Sequence, residues 1–258
     1  MRLGPVLVVV VLAVGCRSAT PPRPGAPPSP APSPAAPSPA VSPGGREMAD
    51  ALHWFRNSAE RRAIALQTYR LATDQIERAA RGREPGTWAV ILDADETVLD
   101  NSTYEKELLE QGTTHTPDRW AAWVARKASP AIPGAPAFVR RARELGGRIA
   151  IVSNRTEAEC PDTGANLASL GVSYDAILCR PPDRGEKGPR FEKVARGEAF
   201  PDGRPAEVLM WVGDNIQDFP GATQAIRQGP EDAFGPFGTR FIVLPNPMYG
   251  SWEKNPRE

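Results

Sequence analysis

Between Glu47 and Arg81, apolar residues recur at three- and four-residue steps as Ala65, Tyr69, Ala72, Ile76 and Ala79, which predicts helix with one buried stripe. Asn57 and Ser58, followed by Glu60, read as a cap inside this stretch, so it divides into two helices or bends. Gly82 and Pro85-Gly86 end it. Five short apolar runs follow, at 88–92, 148–152, 176–179, 208–212 and 240–244. None alternates cleanly, as expected of strands covered on both faces. Helical patterns lie between them at 135–145, 162–170, 189–196 and 217–227. Strand alternating with helix predicts an α/β fold, a parallel sheet flanked by helices on both faces. The segment 101–133 interrupts the alternation and holds a helical pattern at 118–127 with Trp120 and Trp123. Long connections over such sheets often form lids or caps. The plainer alternative is that both tryptophans pack this segment against the N-terminal helices.

The N-terminus changes the picture from a single domain to an exported one. Arg2 precedes an apolar run, Gly4 to Val14, that is shorter than the roughly 20 residues of a membrane span. It ends in Leu12-Ala13-Val14-Gly15-Cys16, which resembles a bacterial lipobox with Cys16 as the lipid acceptor; Ala13 stands where leucine or valine is commoner. Pro21 to Gly45 is Pro, Ala, Ser and Gly with little else, and holds many of the chain's 29 prolines. Such a segment buries no apolar surface and favours extended polyproline geometry, reaching roughly 75 Å. The expected division is a signal peptide at 1–15, lipid anchor and linker at 16–46, and a folded domain at 47–258 whose helical lobe combines 47–85 with 101–133. Membrane attachment through Cys16 is expected. Arg17 is no acidic retention signal, so the outer membrane is favoured in a cell that has one. The formal net charge of zero gives no footprint for a nucleic-acid polymer. Cys160 and Cys179 both fall at one edge of the expected sheet; export permits a bridge, and sequence alone leaves it open.

Ligands of open parallel sheets bind beyond the carboxyl ends of the strands. The first run leads into Asp93-Ala94-Asp95-Glu96-Thr97, the second into Ser153-Asn154-Arg155, and the fourth into Gly213-Asp214-Asn215 with Asp218 beyond; Glu186-Lys187 follows the third. This set suits phosphoryl transfer. A phosphomonoester dianion repels a carboxylate nucleophile, so a divalent cation and a lysine must first offset charge. Mg2+ takes oxygen ligands, which the Asp93 and Asp214 carboxylates and the Asp95 backbone carbonyl can supply, with Asp218 behind them. Asp93 is the candidate nucleophile, and Asp95 the candidate acid and then base. Thr97 belongs to the same catalytic string. Ser153 and neighbouring amides can hold phosphoryl oxygens, Asn154 and Arg155 are candidate substrate contacts, and Lys187 offsets equatorial charge, with Lys193 as the fallback. Each cluster alone reads as a cap or turn; together, each after its own strand, they favour a phosphatase over a surface-binding lipoprotein on an enzyme fold.

Asp93-x-Asp95-x-Thr97, Ser153, Lys187 and Gly213-Asp214-x-x-x-Asp218 resemble the four motifs of the haloacid dehalogenase (HAD) superfamily. Wider strings resemble its class C bacterial lipoprotein acid phosphatases, the lipoprotein e family. They include Trp54 with Ser58-Ala59-Glu60, the residues from Asp95 to Ser102, Val152 to Arg155, Val212 to Asn215 and Leu244 to Glu253. Ala94 departs from the leucine usual there, and is expected to lend only its backbone. The resemblance implies a Rossmann-like core with a smaller helical cap lobe and activity on phosphomonoesters at mildly acidic pH, often nucleoside 5′-monophosphates. It also implies that Trp120 and Tyr249 flank a nucleobase. Phosphosugars and other small phosphoesters are the alternative substrates.

Overall fold

The computed structural model describes residues 43–183 and 185–257. Cys16 and most of the expected linker lie outside them. Two helices open the fold, α1 (Pro43–Asn57) and α2 (Ala59–Ala79), divided where the sequence placed the cap: the Ser58 side chain accepts the Arg61 backbone N–H at 3.1 Å. α1 begins inside the segment read as linker, and a proline there gives up only an N–H that a first helical turn leaves unpaired. Among the described residues, no helix is long and apolar enough to cross a membrane.

The remaining elements are β1 (Trp88–Leu92), α3 (Ser102–Glu110), α4 (Pro117–Ala125), α5 (Ala135–Glu144), β2 (Arg148–Thr156), α6 (Cys160–Ser169), β3 (Ala176–Arg180), α7 (Gly188–Ala195), β4 (Glu207–Gly213) and β5 (Phe241–Val243). The five strands form one parallel sheet in the order β3-β2-β1-β4-β5. The chain adds strands on one side of β1, then returns to the other. Such a reversal is where ligands of open parallel sheets bind, here beyond the carboxyl ends of β1 and β4.

The runs do not alternate because both sheet faces are buried. Val90, Leu92, Ile149 and Ile151 enter a cluster with Tyr69 and Ile76 of α2 and Phe138 and Val139 of α5. Ala89, Ile91, Ala150 and Val152 enter another with Phe191 and Val194 of α7, Trp211 and Phe219. The α2 stripe, expected in the helical lobe, is therefore spent on the sheet. The 101–133 segment makes its own small cluster from Tyr104, Leu108, Trp123 and Val124, with Trp120 against it. Both tryptophans thus pack within the insertion rather than on the N-terminal helices.

Two further expectations change. β2 runs to Thr156, through Ser153–Arg155: Val152 pairs with Leu178 and Thr156 with Arg180, so the three residues between them bulge from the ladder. The pattern at 217–227 is not an α-helix. Short 3-10 turns at Ile216–Asp218 and Gln224–Gln228 flank Phe219, which is extended before Pro220, and Gly221 at φ +71°. Proline pushes its predecessor out of helical geometry, which overrides the apolar spacing. Cys160 and Cys179 form a disulfide with Cα atoms 5.9 Å apart, tying the start of α6 to β3.

Candidate active site

The site begins where β1 ends. The Asp93 N–H donates to Val212 O at 2.9 Å, which carries the ladder one residue beyond the strand. The chain then reverses: Val98 and Leu99 N–H both donate to Ala94 O, at 2.9 and 2.8 Å, and Glu96 N–H donates to Leu99 O at 2.8 Å. Glu96 takes φ +50° to make this turn, a conformation costly for a side-chain-bearing residue. Compensation comes from the Asn101 N–H, which donates to Glu96 Oε1 at 2.7 Å, and from the Tyr69 hydroxyl, which donates to Thr97 O at 2.6 Å. Ala94 is fully buried in the α2-side cluster, so its methyl packs as well as its backbone turning.

Three carboxylates converge. Asp93, Asp214 and Asp218 each place an oxygen within 4.8 Å of the others. Asp93 comes from the end of β1, Asp214 from the end of β4, and Asp218 from the 3-10 turn after it. Gly213 permits the approach, since a Cβ there would lie 2.3 Å from the Asp218 Cβ. Lys187, at the start of α7, donates to Asp93 Oδ1 and, at 2.7 Å, to Asp218 Oδ1. Asp218 Oδ2 accepts the Asn215 N–H at 2.9 Å, so both its oxygens are engaged. Thr97 Oγ1 donates to Asp214 Oδ1 at 3.3 Å, and Asn246 Nδ2 to Asp214 Oδ2 at 2.8 Å.

The electrostatics are unbalanced. Burial raises the Asp93 pKa; Lys187 opposes this, and Asp218 and Asp95 reinforce it. Asp214 is raised well above its ordinary range, first by burial and then by Asp218 and Asp93. Burial acts to lower Lys187, yet Asp218 and Asp93 outweigh it and raise the lysine overall. One ammonium against two buried carboxylates and a half-buried one leaves negative charge that Thr97 and Asn246, both neutral, cannot offset. An all-oxygen donor set of this charge fits a hard divalent cation.

The β2 bulge supplies the facing wall. Ser153 is fully buried, and its Oγ accepts the Arg155 N–H at 3.1 Å. Asn154 is exposed, and its Oδ1 accepts Arg190 Nη2 at 2.6 Å. Arg155, expected to contact substrate, is turned inward: its Nε and Nη2 donate to Asp95 Oδ1 at 3.0 and 2.8 Å, and Nη1 to Thr163 Oγ1 at 3.2 Å. The Asp95 carboxylate accordingly faces Arg155 and stands outside the carboxylate trio.

Residues 46–252 match the family described as HAD superfamily, subfamily IIIB (Acid phosphatase). The chain belongs to this acid phosphatase family. The phosphatase is also similar to the solved structure of the class C acid phosphatase from Bacillus anthracis, with 29% identity over 81% of this chain and 87% of that one and a TM-score of 0.72. A second structure of that protein, with tungstate bound, is similar at 29% identity and the same coverage, with a TM-score of 0.71. The chain is thus a phosphomonoesterase of the HAD type, built on the α/β sheet described above.

In this phosphatase, Lys193 is exposed and Lys187 is the lysine that meets the carboxylates. Trp120 is half-buried with its ring 5.2 Å from that of Tyr104, and the Arg155 guanidinium lies 5.3 Å from its centroid. Tyr249 is partly buried against the α2-side cluster, three residues beyond Asn246. Sequence reasoning missed Arg190 and Asn246. Arg190 is buried; it donates to Ser153 O and Asn154 Oδ1, and to Gly185 O at 3.2 Å, joining the bulge to the Lys187 segment. Its signal was a cation four residues before Val194, on the apolar face of α7. Asn246 sat inside a recognised string with no role attached.

Proposed function

We propose that the protein is a magnesium-dependent acid phosphatase that hydrolyses phosphomonoesters, nucleoside 5′-monophosphates among them, through an aspartyl-phosphate on Asp93. The observation that carries this reading is the meeting of Asp93, Asp214 and Lys187 in one cluster beyond the ends of β1 and β4.

Asp93 and Asp214, with the Asp95 backbone carbonyl, are the residues that would hold the ion. Bound there, Mg2+ would offset charge on the phosphoryl oxygens. Asp93 attacks phosphorus as the P–O bond to the leaving group breaks. Asp95 gives its proton to the departing oxygen, then takes one from the water that hydrolyses the acyl phosphate. Lys187 and the amides of the Ser153 bulge meet the charge spread over the equatorial oxygens. Tungstate, bound by the Bacillus anthracis relative, is a tetrahedral oxyanion like phosphate, which supports a phosphoryl pocket in this chain too. Trp120 and Tyr249 are proposed to stack a nucleobase, and Cys16 to carry the lipid that anchors the protein to the cell envelope.

Phosphate release from p-nitrophenyl phosphate and AMP, at mildly acidic pH with Mg2+ and then with excess EDTA, tests the reading. Release from both that EDTA abolishes and Mg2+ restores is the expected result. Release that survives EDTA refutes the metal assignment, and release from the aryl ester alone refutes the nucleotidase assignment.

A further inference from the structure

Asn101, at the N-terminus of α3, is fully buried and belongs to no part of the mechanism above. Its Nδ2 donates to Asp95 Oδ1 at 2.8 Å, beside the two Arg155 bonds to the same oxygen. Asp95 Oδ1 thus receives three donors, while Oδ2 accepts none among the described residues. Asn101 Oδ1 accepts Trp123 Nε1 at 2.9 Å, Ser129 Oγ at 2.7 Å and Arg155 Nη2 at 3.2 Å. An indole N–H and a guanidinium only donate. They therefore fix which end of the Asn101 amide is oxygen, and so point its NH2 at Asp95. Trp123 lies in α4, inside the small cluster of the insertion. The seating of the insertion is in this way transmitted through one amide to Asp95 Oδ1, the same NH2 also reaching Glu96 Oε2 at 3.5 Å.

We infer that Asn101 is a positioning residue for the phosphatase reaction: with Arg155 it holds Asp95 Oδ1, leaving Oδ2 to protonate the leaving group, and Trp123 sets the Asn101 amide. This rests on the proposed role of Asp95 as general acid. In the step concerned, the P–O bond electrons go to the leaving oxygen, which takes the Asp95 proton as Asp93 bonds to phosphorus. A leaving group that is stable as an anion needs no such proton. Loss of Asp95 positioning must therefore be felt by poor leaving groups and spared by good ones.

The test compares kcat/KM for phenyl phosphate and 2,4-dinitrophenyl phosphate, both aryl esters, which differ widely in leaving-group acidity, at saturating Mg2+. Asn101→Ala is expected to lose about 30-fold on phenyl phosphate and no more than about threefold on the dinitro ester, within the ~10²–10⁴ that a positioned general acid supplies. Trp123→Phe keeps an aromatic ring in the cluster but removes the N–H, and is expected to show the same bias at about fivefold. Inhibition by inorganic phosphate should stay within about twofold in both. Asp95→Asn is the control. An equal loss on both esters in Asn101→Ala and Trp123→Phe, with a biased loss in Asp95→Asn, overturns the positioning role alone. An unbiased loss in Asp95→Asn overturns the general-acid reading and this inference with it.

Discussion

Gly213 ends β4 one residue before Asp214, and the closeness of Asp218 leaves it no side chain. In Gly213→Ala, the added methyl would have to displace Asp218, and with it Lys187. A displacement near 1 Å at a reacting group costs roughly 100-fold. The variant is expected to keep its circular dichroism spectrum and to lose about that factor in kcat; an unchanged kcat would show that Asp218 does not need its place. Glu105 tests the electrostatics away from the site. Burial raises its pKa from 4.5 to about 7, and Glu253 adds to the rise. The folded pKa lies above the unfolded one, so the fold holds this proton more tightly. The resulting stability is complete below pH 4.5 and lost as the pH rises through about 7. Glu105→Gln should flatten the fall in Tm across that window, and an unchanged slope would contradict it. At this scale the sequence was legible where motifs follow strand ends, as at Asp93 and Asp214, which the fold brings together with Lys187. It was not legible at Arg155, whose inward turn depends on Asp95 and Asn101 from the β1–α3 connection and Thr163 from α6.

The elements were legible wherever a period met an unambiguous stop. The α1/α2 division followed from Ser58, and the five strands from apolar runs flanked by turn residues. Two failures share a cause, local backbone chemistry overriding spacing. Pro220 and Gly221 break the pattern at 217–227, and a bulge in β2 projects Ser153–Arg155 from a stretch that is otherwise strand. The disulfide lies next to that bulge in the chain, joining the start of α6 to β3, the strand paired with β2, across 19 residues. A loop of this length predicts about 3 kcal/mol of stabilisation through the unfolded state. Replacing both Cys160 and Cys179 by serine should lower the denaturant midpoint and raise the m-value, because the released unfolded chain exposes more surface. An unchanged midpoint would mean that the bridge contributes nothing to stability.

For the whole molecule, alternation of strand and helix sufficed to give the sheet, and the rule that ligands sit beyond strand ends sufficed to gather the motifs. What no local pattern could supply was the division of labour between layers. α2 serves the sheet through Tyr69 and Ile76, while the insertion builds a separate cluster around Trp123 and reaches the site through Asn101. The proposed mechanism depends most on Asp93 as the residue whose carboxylate takes the phosphoryl group. Mixing the enzyme with ³²P-labelled p-nitrophenyl phosphate and Mg2+, quenching in acid within milliseconds and mapping the labelled peptide addresses this directly. The account predicts a hydroxylamine-sensitive label on Asp93 that is absent, together with turnover, in Asp93→Asn. A label on any other residue, or an Asp93→Asn enzyme that turns over at the wild-type rate, would contradict it.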